Sequence, residues 1–337
     1  MKKRWLWLVM VLLITVPIGA VVIGNIERAG FRPKVDARAV VLMDLNTGRI
    51  LLSENGDIPL PPASMSKLMT ELVILDDIKT GKKSWDDEVQ ISDTASGVSG
   101  IKIALKSGEF LTVRELFQSI TVYSANDAAV ALAEHFAGSE EAFVQKMNAK
   151  AKEIGLSSST HFVNASGVES HTDNDQEWSS ERETVMTAED TAKLAAHLIK
   201  SHPDILSTSS KTQTKISGRN LYLSNTNWML PSLGGPYSYE GTDGLKTGYT
   251  VNAGYCFTGT AEKQGSRLIA VVMGTESKEA RFEETRKLFD YGFAKTLTWK
   301  ERLDDWFQYS GIAAALSHDK LALSHDKLAL SHDKLAV

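Results

Sequence analysis

A serine followed three positions later by a lysine, at the start of an apolar helical pattern, constrains this chain more than any other feature. Ser64 and Lys67 lie in the stretch PPASMSKLMT, and Leu68, Leu72 and Leu75 continue it at helical spacing. Residues three apart on a helix share a face. A lysine activates a serine hydroxyl only when burial or a second cation keeps its amine neutral. We therefore predict that Ser64 is a nucleophile and Lys67 its base.

Two further segments distinguish this pair from other serine–lysine pairs. The same spacing recurs at Ser99 and in the C-terminal repeats, so the pair alone decides little. The tripeptide SAN at 124–126 lies between two helical patterns, and KTG at 246–248 leads into a β-rich run. Motifs of these three kinds, in this order, occur together in penicillin-binding proteins and class A β-lactamases.

The segments PASMSKLMT, YSANDAA and DGLKTGYTVNAGYCFTGTA resemble those of the serine D-Ala-D-Ala carboxypeptidases, which are low-molecular-weight penicillin-binding proteins. The resemblance covers roughly residues 36 to 293, the expected catalytic domain, and includes the segment FVNASG and the arginine of EARFEETRKLFDYGF. It implies an α+β fold of the β-lactamase/transpeptidase type, with an antiparallel sheet and a helical cluster.

The resemblance also implies a reaction. A chain of this family would remove the terminal D-alanine from peptidoglycan stem pentapeptides through an acyl-enzyme on Ser64, and β-lactam antibiotics would acylate the same serine. Backbone N–H groups of Ser64 and Tyr249 would hold the oxyanion, and Ser124 would relay a proton to the leaving amine. Gly248, in the β-rich run, would let the substrate approach closely. No metal or organic cofactor is expected.

The remaining site residues are expected, from the same resemblance, to position the base and the substrate. Asn126 would orient Lys67 and the substrate amide, and Lys246 would keep Lys67 neutral through like-charge proximity. Thr247 and Arg281 would hold the C-terminal carboxylate that distinguishes a carboxypeptidase substrate from an internal peptide.

The composition bounds the fold and excludes some partners. The chain has 337 residues, 42% of them hydrophobic, which is enough for one large domain or two ordinary ones. A net charge of -5, with no long basic run beyond the N-terminus, argues against a nucleic-acid partner. The single cysteine, Cys256, excludes an intrachain disulfide and is expected to be a small buried hydrophobic residue.

Residues 1–24 have the pattern of an export signal, with a short basic start followed by an uncharged apolar run. The run approaches the ~20 residues that span a bilayer, so a signal anchor and a cleaved signal peptide both remain open. Positive charge before the run places the rest of the chain outside the cytoplasm. We expect a linker at 25–35 and a catalytic domain at the extracytoplasmic face of the cytoplasmic membrane, or secreted if the signal is cleaved.

Helix and strand signals alternate through the rest of the chain. Gly48 predicts a hairpin turn within AVVLMDLNTGRILLSE. Threonines at 112 and 187, each followed three positions later by an acidic residue, predict helix N-termini, and Gly155 should end the helix that begins at Glu140. Helices inserted into an antiparallel sheet give the α+β class. We also expect strands at 212–225, 246–261 and 267–274, a polar surface loop at 169–186 and a final helix at 279–289.

The C-terminus departs from the family pattern. Many relatives continue into a second β-rich domain, which we do not expect here. Residues 294–315 are predicted to be a linker, and residues 316–337 repeat LSHDKLA three times. The leucines of the repeat form no continuous apolar stripe on a helical wheel, so the tail is a poor membrane anchor and is not expected to be a folded domain.

Three alternative functions remain open at this level. A D,D-endopeptidase would use the same residues on cross-linked peptidoglycan. A class A-like β-lactamase needs a glutamate poised for deacylation, for which the acidic loop offers Glu177, Glu181 and Glu183. A non-catalytic wall-binding protein would be expected to have lost Ser64 or Lys67, and both are present.

Overall fold

The computed structural model describes residues 32–168 and 183–297 of the chain. Residues 32–262 and 266–292 form one compact unit, and the account below concerns that unit. The expected export signal at 1–24, the repeat tail at 316–337 and most of the two predicted linkers lie outside the described residues. Among the residues described, no helix is both long and apolar enough to cross a membrane.

The described residues contain both helices and strands, and these follow one another along the chain. The strands are β1 (Ala39–Asp44), β2 (Ile50–Glu54), β3 (Glu88–Gln90), β4 (Phe110–Thr112), β5 (Gln213–Ile216), β6 (Leu221–Ser224), β7 (Thr242–Thr250), β8 (Gly254–Lys263) and β9 (Ser266–Thr275). The α-helices are α1 (Lys67–Lys79), α2 (Asp93–Gly97), α3 (Val113–Gln118), α4 (Asn126–Ala137), α5 (Glu140–Glu153), α6 (Ala188–Ser201), α7 (Ile205–Ser209) and α8 (Ala280–Thr296). Short 3-10 turns lie at Ala63–Ser66, Ser217–Arg219 and Pro231–Leu233, and a π-helical turn lies at Ser119–Tyr123.

One sheet organises the fold. Its strand order is β2-β1-β9-β8-β7, and β1 pairs antiparallel with both β2 and β9, as β7 does with β8. The predicted hairpin is confirmed, with Gly48 in the turn at a φ of 72°. Residues 39–43 of β1 are all buried, because α6 packs against β1 and β9 and α8 also reaches β1, where a β-carbon built on Gly292 would lie 2.9 Å from Leu42 Cδ2.

A helical cluster lies beside this sheet, with α1 at its centre. Helix α1 packs against α4, α5 and α6, and nearly all of its side chains are buried. A helix that is enclosed on every side needs apolar residues all round and not one stripe. The predicted helix starts are confirmed: Thr112 and Glu115 form a capping box, and the Thr187 hydroxyl accepts from the backbone N–H of Asp190.

Three details differ from the prediction. Ser64 lies in a 3-10 turn, and Lys67 is the first residue of the α-helix that follows. The last helix continues past its predicted end at Phe289 as far as Thr296. Residues 169–182 lie outside the described residues, but the loop predicted at 169–186 is not exposed at its end. There the backbones of Val185 and Met186 bridge to residues 161 and 60, and both side chains are buried.

Candidate active site

The proposed nucleophile lies in the 3-10 turn that immediately precedes helix α1. Ser64 follows Ala63, which has a φ of 49°, and this 3-10 turn packs against β7. A β-carbon built on Gly248 would lie only 2.6 Å from the carbonyl oxygen of Pro62 and 3.3 Å from the nitrogen of Ser64. Gly248 therefore allows β7 to approach the nucleophile turn closely.

The side chain of Lys67 reaches Ser64 from the helix. Its Nζ lies 2.9 Å from Ser64 Oγ, 2.8 Å from Asn126 Oδ1 and 2.6 Å from the carbonyl oxygen of Ser166. Burial, followed by the charge of Lys246, holds the pKa of Lys67 well below its usual value. A neutral amine has two N–H donors and one lone pair, so it can donate to Asn126 and Ser166 and accept from the Ser64 hydroxyl. This is the arrangement of a general base.

Asn126 is itself fixed. Its Nδ2 donates to the carbonyl oxygen of Ser99 over 2.8 Å, which turns Oδ1 toward Lys67. Ser99 has the same spacing to a lysine as Ser64, but the atom that it contributes here is its backbone carbonyl oxygen. A β-carbon on Gly100 would lie 2.7 Å from Asn126 Nδ2, so the segment beside this amide tolerates only glycine without a shift.

Ser124 ends the π-helical turn in a left-handed conformation. Its φ is 74°, which is rare for a residue with a side chain, and π-helical turns frequently occur at functional sites. The hydroxyl is buried and has no hydrogen-bond partner among the described residues. It lies in the wall of the same cavity as Ser64.

That cavity has a volume of about 320 Å³ and joins the three predicted motifs. Ser64, Ser124, Thr247 and Arg281 line it together, and Tyr249, which is half exposed, lies at its edge. Further lining residues come from elements that the motifs do not include: Ile101, Asn225, Thr226, Trp228, Tyr255 and Lys278.

Arg281 is buried and not on the surface, where it could have paired with Glu284 one turn later. Only 4% of the residue is exposed, and its Nη1 donates to the carbonyl oxygen of Gly248 over 3.3 Å. Glu284 instead pairs with Lys287 at 2.7 Å. Burial lowers the pKa of Arg281 to about 10, so the guanidinium remains a cation at neutral pH. It is therefore a buried positive charge in the cavity wall.

Lys246 supplies a second buried positive group. It lies on β7 and is 1% exposed, and its Nζ donates to the carbonyl oxygen of Thr247 over 3.3 Å. Burial lowers its pKa to about 8; the charge of Glu71 opposes this shift, and that of Arg281 adds to it. Burial thus lowers the pKa of both lysines, and the charge of Lys246 lowers that of Lys67 further.

Three contributors to the site were not singled out by the sequence. Ser166 offers a backbone carbonyl, which leaves no side-chain signature. Asn164 shapes that loop: its Oδ1 accepts from Gly167 N at 2.6 Å and its Nδ2 donates to the Val168 carbonyl at 2.6 Å. Glu71 is buried one helical turn after Lys67. For Asn164 the segment FVNASG was the available signal, and for Glu71 it was the single charged residue between Leu68 and Leu75.

The structure describes only one of the three glutamates that the acidic loop offered for deacylation. Glu177 and Glu181, offered by the acidic loop, lie outside the described residues, whereas Glu183 is described and buried. Within residues 32–168 and 183–297, no group of three or more His, Cys, Asp or Glu side chains could hold a metal ion.

Comparison with known proteins identifies the family. A family model described as Peptidase S11, D-alanyl-D-alanine carboxypeptidase, matches residues 27–277. The chain belongs to the Peptidase S11 family. It is 37% identical over 262 residues to D-alanyl-D-alanine carboxypeptidase DacF of Bacillus subtilis, covering 77% of this chain and 63% of that protein. It is 34% identical over 278 residues to DacC of Escherichia coli, covering 77% and 62%. The chain thus spans a little under two thirds of the length of these Peptidase S11 relatives.

Two solved structures similar to this chain are penicillin-binding proteins. Penicillin-binding protein D2 of Listeria monocytogenes, in its ampicillin-bound form, matches with a TM-score of 0.68 and 34% identity, covering 78% of this chain and 99% of that one. PBP3 of Streptococcus pneumoniae matches with a TM-score of 0.71 and 34% identity, covering 77% and 74%. The predicted α+β fold of the β-lactamase/transpeptidase type is confirmed.

Proposed function

We propose that this Peptidase S11 chain is a serine D-Ala-D-Ala carboxypeptidase that trims peptidoglycan stem pentapeptides. The observation that carries the proposal is the 2.9 Å contact between Ser64 Oγ and the Nζ of Lys67, a lysine whose pKa is held well below its usual value by burial and by the charge of Lys246. The names of the relatives, which are D-alanyl-D-alanine carboxypeptidases, support the same reaction.

The proposed reaction has two halves. Ser64 Oγ attacks the carbonyl carbon of the penultimate D-alanine while its proton passes to Lys67 Nζ. Backbone N–H groups of Ser64 and Tyr249 stabilise the oxyanion, and the amine of the terminal D-alanine leaves with a proton delivered through Ser124. Water then attacks the ester carbonyl, releases the shortened peptide as an acid and restores the Ser64 hydroxyl.

The substrate's C-terminal carboxylate would be held by Thr247 and Arg281. A buried guanidinium beside a threonine hydroxyl matches a carboxylate, and the charge-assisted hydrogen bond favours a free C-terminus over an internal peptide. Because the Listeria relative has an ampicillin-bound form, β-lactams are proposed to acylate Ser64 in the same cavity.

We also propose the organisation of the whole chain. Residues 36–293 would be the catalytic domain, and the apolar segment at 1–24 would export it and either anchor it in the cytoplasmic membrane or be cleaved. The family match over residues 27–277 supports the catalytic domain. Export supports the proposed substrate, because the stem peptides of the cell wall lie outside the cytoplasm.

The test is the release of D-alanine from a soluble acylated peptide ending in D-Ala-D-Ala. The purified protein should release it, and Ser64→Ala should not. Incubation with purified cross-linked muropeptides distinguishes a carboxypeptidase from a D,D-endopeptidase. If the protein cleaves cross-links and releases no D-alanine from pentapeptides, it is an endopeptidase and the proposed function is wrong.

A further inference from the structure

Thr226 lies in the cavity wall between two of the three motif segments, although no motif includes it. Its backbone N–H donates to the carbonyl oxygen of Val122 over 3.2 Å, and Val122 belongs to the π-helical turn that ends at Ser124. Its Oγ1 lies 2.7 Å from Oγ1 of Thr247 on β7. Thr226, Thr247 and Arg281 line the same cavity. Thr226 therefore joins the turn of Ser124 to the strand of Thr247.

Two buried asparagines, one on either side of Thr226, hold its backbone in place. Nδ2 of Asn225 donates to two backbone carbonyl oxygens, and its Oδ1 accepts from the backbone N–H of Asn227 over 2.8 Å. Nδ2 of Asn227 donates to the carbonyl oxygen of Gly244, on β7, over 3.2 Å. Breaking such bonds would leave buried amide groups unsatisfied, which is costly. The hydroxyl of Thr226 is therefore presented to β7 from a segment that is fixed on both sides.

A bound carboxylate would fix the direction of the hydrogen bond between the two threonines. Each hydroxyl has one rotatable proton and can also accept, so either threonine can be the donor over the 2.7 Å between them. An ionised carboxylate only accepts hydrogen bonds. When it lies against Thr247, the Thr247 proton turns toward it, and the Thr226 hydroxyl becomes the donor to Thr247. Hydrogen bonds in such a chain polarise one another, which strengthens the contact with the carboxylate.

We propose that Thr226 is a positioning residue for the C-terminal carboxylate of the substrate: its hydroxyl donates to Thr247 Oγ1 and thereby directs the Thr247 proton to that carboxylate. This inference rests on the function proposed above. Arg281 supplies the positive charge at the site, and the two hydroxyls supply the direction of approach. Each hydroxyl keeps its own proton throughout. Thr226 acts through Thr247 and does not touch the reacting atoms, so its effect depends on the charge of the substrate's C-terminus.

The experiment compares a peptide ending in D-Ala-D-Ala with its C-terminal amide, for the wild type, Thr226→Ala and Thr226→Ser. Alanine removes the hydroxyl without placing a methyl group 2.7 Å from Thr247 Oγ1, and serine keeps the hydroxyl. Loss of a hydrogen bond between neutral groups should lower kcat/KM of Thr226→Ala by about 3- to 10-fold on the acid and leave the amide unchanged. Thr226→Ser should behave like the wild type. An equal loss on both substrates, or no loss on either, would overturn the proposal.

Thr191→Ala is the matched control for loss of a threonine hydroxyl. Thr191 is buried on α6, and its hydroxyl donates to the carbonyl oxygen of Thr187 over 2.8 Å. It does not line the cavity. Thr191→Ala should therefore change the melting temperature and keep the wild-type preference for the acid over the amide. If it loses that preference as Thr226→Ala does, the loss reports a general loosening of the fold, and the role of Thr226 is wrong.

A double variant separates action through Thr247 from direct contact with the substrate. If Thr226 acts only through Thr247, adding Thr226→Ala to Thr247→Ala should cause no further loss of preference for the acid. Additive losses would mean that Thr226 contacts the carboxylate itself, which contradicts the proposed role.

The same variants distinguish failure of this inference from failure of the proposed function. If the wild type releases D-alanine and Thr226→Ala keeps the full preference for the acid, only the inference fails. If the wild type releases no D-alanine, the proposed function fails, and the role of Thr226 is decided by acylation with benzylpenicillin and with its methyl ester, which has no free carboxylate. Thr226→Ala should then lose about 3- to 10-fold of the preference for benzylpenicillin over the ester, and an unchanged preference would overturn the inference.

Discussion

The carbonyl oxygen of Ser166 lies 2.6 Å from the Nζ of Lys67, 99 residues away in sequence. This contact ties the proposed base to a loop outside the three motifs. Together with Asn126, the carbonyl takes up the two N–H donors of a neutral amine, so that the lone pair is directed to Ser64. The orientation of the base therefore depends on how firmly that loop is held.

Asn164→Ala should loosen the loop and misplace Lys67. Oδ1 of Asn164 accepts from Gly167 N and, at 3.2 Å, from Ser166 N, so the variant should lose about 1 to 3 kcal/mol of stability. Misplacement of the base should slow penicillin acylation by about 10- to 100-fold. Asn148→Ala is the control: Asn148 bonds both backbone groups of Phe162 in the same segment, and its loss should cost stability without slowing acylation. Equal acylation rates in both variants would contradict the role of the loop.

Gly248→Ala should separate β7 from the nucleophile turn. The new methyl group would lie 2.6 Å from the Pro62 carbonyl oxygen, a backbone atom that cannot rotate away. Displacement of the turn by about 1 Å should reduce the acylation rate by roughly 100-fold. Gly97→Ala, where nothing lies within 4 Å of the new methyl group, should acylate like the wild type. Normal acylation by a folded Gly248→Ala protein would show that the close approach is unnecessary.

Arg281→Ala should remove the preference for a free C-terminal carboxylate. A charge-assisted hydrogen bond contributes about 1.5 to 3 kcal/mol, so kcat/KM for D-alanine release should fall by about 10- to 100-fold. The measurement compares a peptide ending in D-Ala-D-Ala with its C-terminal amide. Wild type and Arg286→Ala, whose arginine on the same helix bonds the carbonyl of Ser238, should both prefer the acid. If Arg281→Ala discriminates as well as they do, Arg281 does not hold the carboxylate.

Cys256 should be unreactive in the folded protein. Burial raises the pKa of its thiol to about 11, so almost no thiolate is present at pH 8, and the thiolate is the reactive form. A disulfide reagent that releases a coloured thiolate should react with one equivalent of thiol in guanidinium chloride and very slowly without it. Rapid, complete reaction of the native protein would mean that the strand around Cys256 opens readily.

Local signals in the sequence predicted the parts of the fold that depend on neighbouring residues. The hairpin around Gly48 and the capping box of Thr112 and Glu115 each involve a few consecutive residues, so their geometry is encoded where they occur. The motifs also singled out Ser64 and Lys246. The structure places Ser64 Oγ 2.9 Å from Lys67 Nζ, and Lys246 is buried on β7, two residues before the glycine that approaches the Ser64 turn.

The remaining features depend on contacts between distant segments. The carbonyl of Ser166 leaves no trace in residue type, and the left-handed φ of Ser124 follows from the π-helical turn before it. The burial of Met186 arises from a backbone bridge to Leu60 that its polar surroundings in sequence do not suggest. Glu71 reads as an ordinary polar residue in the sequence, and its burial follows from the packing of α1 against α4, α5 and α6.

The most direct test of the account is the position of the covalent adduct formed with penicillin. After brief incubation and proteolytic digestion, mass spectrometry should find one penicilloyl group on the peptide that contains Ser64, and Ser64→Ala should carry none. Lys67→Ala should remain folded and fail to form the adduct, since it loses the base. An adduct on Ser99 or Ser124, or an unmodified wild-type protein, would contradict the assignment of Ser64 as the nucleophile.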